Sequence, residues 1–113
     1  MRSQRERQFD SLAEAKARLF VWAVREGFPL HRVEFVVPFV ATDFHAHVVL
    51  FLQTDEQVRS EGATRSSEAA AVFSHALRES GYPAEHLALV TFEFDSHERV
   101  LSQFDGSYFS RMR

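Results

Sequence analysis

Apolar residues first recur at helical spacing. Leu12, Ala15, Leu19, Phe20 and Ala23 form one stripe, with Arg18 and Arg25 on the opposite side. Ser11 followed by Glu14 fits the S-x-x-E box, in which each side chain satisfies a first-turn backbone N–H, so the helix is expected to start there. Gly27, Phe28 and Pro29 supply the stop, because glycine takes the left-handed conformation, the aromatic folds back on the last turn and proline cannot continue the helix.

The period then changes from 3.6 to 2. Residues 32–40 read as a strand with Val33, Phe35, Val37 and Phe39 on one face, and Pro38, which lacks a backbone N–H, marks it as an edge strand. Residues 43–54 read as a second strand with Phe44, Ala46, Val48, Leu50 and Leu52 toward the core. The link around Ala41 and Thr42 admits only an antiparallel hairpin. Since opposed residues share a face, their numbers must sum to an odd value. The simplest is 83, which sets His45 against Pro38, His47 against Val36, Val49 against Glu34 and Phe51 against Arg32.

Residues 55–65 are polar, lose periodicity at Gly62 and read as a mobile loop. A second long helix is expected over 67–80, with Ala69, Val72, Phe73, Ala76 and Leu77 inward, and it stops at Gly81, Tyr82 and Pro83. Residues 87–95 follow as a third strand. Asp95 and Glu98 then fit a cap for a short helix carrying Val100, Leu101 and Phe104, halted at Gly106. The tail adds a short strand or packs Tyr108 and Phe109 over the core. Residues 20–29 and 73–83 share an F-x-x-A-(V/L)-R-E pattern ending in glycine, an aromatic and proline, which fits either a duplicated helix-strand-strand unit or two helix ends meeting one capping requirement.

The order α-β-β-α-β-α predicts an α+β fold. It is a two-layer sandwich with a small antiparallel or mixed sheet and both long helices on one face, a permuted ferredoxin-like arrangement. At 113 residues there is room for one domain, read as residues 11–113 after a flexible basic arm at residues 1–10 that carries Arg2, Arg5 and Arg7. The absence of cysteine removes disulfides, thiolate metal sites and cysteine nucleophiles together. The polar start does not resemble a signal peptide, and no apolar run approaches the roughly 20 residues of a membrane span, so a cytoplasmic protein with no membrane partner is expected. A net charge of −3, with arginines scattered among acids, gives no reason to expect nucleic acid.

The candidate chemistry lies in Asp43, His45 and His47, which share one face if the segment is extended. Two imidazoles at i and i+2 can grip a metal, but a site needs a third converging ligand. Glu93, Asp95 and His97 lie toward the end of a strand that a helical crossover makes parallel to the second, hence far from the histidines, and the cross-strand neighbours Pro38 and Val36 offer no ligand. Neither metal nor cofactor is expected. Glu93, Asp95, His97 and Glu98 could supply acid and base, yet solvent-face and capping roles account for most of them. His31, His75 and His86 stand singly. No glycine-rich phosphate loop or nucleophile elbow is present.

The outer face of the hairpin is less ordinary. Val36, Pro38, Val40, Val49 and Phe51 stand there beside His45 and His47, where a monomeric two-layer fold should be polar. The C-terminal tail, a second copy of the chain or another protein must cover them. The expected function is a non-catalytic module that binds a protein or itself as a homodimer through this face, as inhibitor and immunity proteins do. The alternative is a small enzyme or ligand- or metal-binding protein with His45 and His47, and Asp43 beside them, in a pocket on the same face.

Overall fold

The computed structural model describes residues 2–113. Its first helix, α1 (Gln4–Glu26), starts earlier than the Ser11 box predicts. Ser3 and Glu6 form the reciprocal cap instead, and Ser11 lies buried inside the helix beside Leu12 and Ala15. The same S-x-x-E spacing occurs twice, and residues 4–8 are good helix formers, so nothing halts the helix at the second box. Residues 4–10 are therefore the first turns of α1 rather than a flexible arm. Arg5 anchors them: its guanidinium donates to the backbone carbonyls of Pro38 at 3.1 Å, Val40 at 2.6 Å and Asp43 at 2.9 Å, gathering the hairpin loop.

Gly27 ends α1 with φ 66°, and the Phe28 N–H donates to the Ala23 carbonyl at 2.8 Å. The second stop repeats this chemistry, with Gly81 at φ 91° and the Tyr82 N–H donating to Leu77 at 3.0 Å. Beyond these caps the two segments diverge, since a hairpin follows the first and a short helix with a single strand the second.

Strands β1 (Leu30–Val36) and β2 (Ala46–Leu52) pair antiparallel in the predicted register, from Arg32 opposite Phe51 to Val36 opposite His47, with a bulge only near Leu30. Both are shorter than the pattern suggests. The chain leaves the ladder before Pro38, so Phe39 is fully exposed in the connecting loop rather than in the core, and Asp43 and His45 lie outside β2.

Residues 55–65 are not a loop but mostly helix α2 (Asp55–Thr64), followed by α3 (Ser66–Glu79). Thr54 and Gln57 cap α2 reciprocally, and Asp55 and Glu56 complement its N-terminal dipole, which outweighs the cost of Gly62, about 1 kcal/mol relative to alanine. Arg65 fixes the junction, donating to the Glu26 carbonyl at 3.1 Å and lying over Trp22 and Phe28. After the short α4 (Ala84–Leu87), β3 (Val90–Ser96) joins β2 in parallel, giving a mixed sheet in the order β1-β2-β3.

The fold is α+β, and both long helices cover one sheet face. Leu12, Leu19, Trp22, Phe73 and Leu77 from α1 and α3 meet Val33, Val48, Leu50 and Leu52 from the sheet. The opposite face has its own cover. Helices α5 (His97–Phe104) and α6 (Tyr108–Met112) bring Val100, Tyr108, Phe104 and Met112 onto Val49 and Phe51, both of which are 0% exposed. Val100, Phe104, Tyr108 and Met112 are spaced by four, so one apolar stripe continues through the turn at Gly106.

Candidate functional site

The odd-numbered positions of β2 face α5 and α6, and His47 is the first of them. Opposite Val36 on β1 and Thr91 on β3, it presents Nδ1 2.7 Å from the Thr91 hydroxyl and Nε2 2.9 Å from Glu93 Oε1. The parallel crossover predicts Glu93 far from His47, and the structure brings the two together. The strands are indeed parallel, but Ala46 pairs with Val90, so Glu93 stands only one strand repeat beyond Thr91 and its long side chain reaches back.

Glu93 and Asp95 together hold the tail. Arg111 donates from Nε to Asp95 at 2.6 Å and from Nη2 to Glu93, and Arg99 donates to Asp95 at 2.8 Å. Burial alone would raise the Asp95 carboxyl pKa, but the Arg111 hydrogen bond, the Ser96 N–H and the neighbouring guanidinium charges outweigh it and hold the group below its ordinary value. Asp95 is not the α5 cap. Ser96 takes that role in extended backbone, accepting from the Arg99 N–H at 2.9 Å, while Glu98 accepts from the Asp55 N–H at 2.9 Å and ties α5 to α2.

Of the other histidines, His45 lies near one end of this face and His31 and His97 near the other, while His75 sits on α3 and His86 on α4. His45 lies in the loop with its ring 2.5 Å from Asp43, and that imidazole holds the Asp43 carboxyl below its ordinary range. His97 meets the Tyr108 hydroxyl at 2.7 Å and lies with its ring tilted 4.3 Å from that of His31, whose pKa is lowered by burial and then by the His97 and Arg32 charges. His45 is engaged by Asp43, and His47 by Thr91 and Glu93, so the two imidazoles have separate partners. Among the described residues, no group of three or more His, Cys, Asp or Glu side chains is placed to hold a metal ion.

A depression of about 250 Å³ beside the histidines is lined by Val36, Pro38, His45, His47, Leu89 and Thr91. It is smaller than the roughly 300 to 1,000 Å³ usual for small-molecule sites. The Thr91–His47–Glu93 chain could pass a proton, but its histidine and carboxylate side chains remain 44% and 42% exposed, where water screens the electrostatics that catalysis relies on. Its placement next to Arg111 makes it part of the latch that seats α6. A larger concavity, about 670 Å³, lies on the far side between α1 and α3, lined by Val21, Trp22, Val72 and Ala76, and contains none of these residues.

The apolar set expected to meet a partner is split. Val49 and Phe51 lie fully beneath α5 and α6 and leave the candidate interface, because the tail is amphipathic and covers them from within the chain. Val36 and Val40 remain exposed, and Pro38 is half-buried. Beside them sequence reasoning missed Phe39, assigned to the core, and the exposed Phe9 and Phe109. The residue after Pro38 would have been the signal, since a strand interrupted there need not keep its alternation.

No protein-family model, curated protein or solved structure matches the chain. Among the described residues no helix is long and apolar enough to cross a membrane.

Proposed function

We propose that the protein is a non-catalytic binding module that associates with a second copy of itself along β1 and the hairpin tip beside it. The observation that carries this is the edge. Among the described residues no strand pairs with the outer side of β1, and exposed apolar groups flank it: Val36 (41% exposed), Phe39 and Val40 at one end and Phe9, which lies 6.3 Å from Phe35, on the helical side. An open edge offers unpaired backbone donors and acceptors that template another strand, and proteins that do not use such an edge usually blunt it. Here both nearby prolines, Pro29 and Pro38, lie outside the strand and leave its seven residues free of proline. The sheet face itself is occupied by the tail, so the edge and the loop are what remain of the apolar surface predicted from sequence.

Sedimentation velocity over a wide concentration range tests the reading. A monomer–dimer equilibrium is expected. A concentration-independent monomer would remove self-association and leave the edge to a different protein.

A further inference from the structure

We infer that two copies join β1 to β1 in one particular antiparallel register, centred on Val33, so that Arg32 of each copy lies against Glu34 of the other. This rests on the self-association reading and adds the geometry of the contact. Two β1 strands related by a two-fold axis perpendicular to the sheet must oppose residues on the same face, so paired numbers sum to an even value. Leu30–Val36 has Val33 at its middle, and pairing through it is the one register that engages all seven residues.

That register also satisfies the charges. Arg32 and Glu34 share the outer face and already meet within one chain, Nε to Oε1 at 2.7 Å, with side chains 47% and 28% exposed. Through Val33, each Arg32 gains the other copy's Glu34, and the four groups close into a ring of alternating sign. Opposite charges facing each other across strands stabilise the pair and like charges oppose it. Shifting by one residue in either direction changes the sum by two, and places Arg32 on Arg32 or Glu34 on Glu34. The other edge fails the same criterion. Pairing β3 with itself through its middle would set Glu93 against Glu93, and both Glu93 and Asp95 are already bound to Arg111.

The surroundings leave room for the added strand. A groove of about 420 Å³ runs beside β1 on the outer face, with Arg32, Glu34 and Val36 as its floor and Phe109 and Met112 of α6 as its wall. A strand about 4.8 Å beyond β1 would bring its own Arg32, Glu34 and Val36 alongside that groove and cover the exposed Phe109 ring. The sheet would grow to six strands, with its two remaining edges formed by β3.

A charge exchange tests the register. Arg32→Glu and Glu34→Arg should each lose the dimer, because every cross-strand pair then carries like charges. An equimolar mixture of the two should recover it as a heterodimer, which sedimentation and native mass spectrometry read directly. Recovery also shows that both variants are folded. Should either variant lack the wild-type circular dichroism, Arg32→Gln and Glu34→Gln replace them, each expected to weaken the dimer on the order of tenfold. A wild-type dimer that neither exchange nor neutralisation affects would overturn the register while leaving self-association standing. A wild-type monomer would overturn both.

Discussion

Gly27 holds φ at 66° with open space where a side chain would begin, so the site constrains the backbone rather than the volume. Gly27→Val should cost about 1 to 2 kcal/mol, because a β-branched residue is disfavoured in the left-handed region, and the urea midpoint will fall accordingly. Asp95 is the opposite case, a side chain whose environment is everything. Its two guanidinium partners depress its pKa in the folded state, so its contribution is fully present above the unfolded value of about 3.8 and is lost as the pH drops through the lower folded value. Asp95→Asn keeps the shape but removes the charge that Arg111 and Arg99 face. It should destabilise the fold by about 3 kcal/mol at neutral pH and flatten the acid limb of the stability curve, measured by denaturant unfolding at several pH values.

At the scale of elements, α5 and α6 act as a cover that the hairpin cannot do without. Tyr108 meets Phe51 edge-on at 4.8 Å, lies under the Arg32 guanidinium at 4.1 Å and bonds His97, which joins both helices to the sheet. Val49 points away from the main core, as the alternation predicts, yet it is sealed beneath this cover. Val49→Lys should accordingly unfold the chain or expel the tail, not merely weaken association, because an ammonium would be buried without a partner. Loss of the cooperative thermal transition is the expected result. A variant with wild-type stability and only weakened self-association would mean that the tail leaves this face open in solution.

For the whole molecule, the determinants divide by range. The hairpin register was legible because a period of two admits no slip without turning every apolar side chain to water, and both glycine stops were legible because left-handed backbone selects its residue locally. The parallel relation of β2 and β3 followed from the helical crossover between them. Local signals also existed for α2, in Thr54 and Gln57, but Gly62 and the polar composition obscured them. The site was less legible. That Asp43 meets His45 could be expected from their neighbouring positions, whereas the approach of Glu93 to His47 depends on a strand offset of a few residues that no local pattern encodes. Likewise, alternation alone determined that Val36, Val49 and Phe51 share an apolar face, but what covers that face is a competition among the tail, another copy and a foreign partner. Only the tertiary structure decided it: burying Val100, Phe104 and Tyr108 requires an apolar surface close in space, and the packing of α5 and α6 assigns Val49 and Phe51 to them while leaving β1 as an edge strand among the described residues.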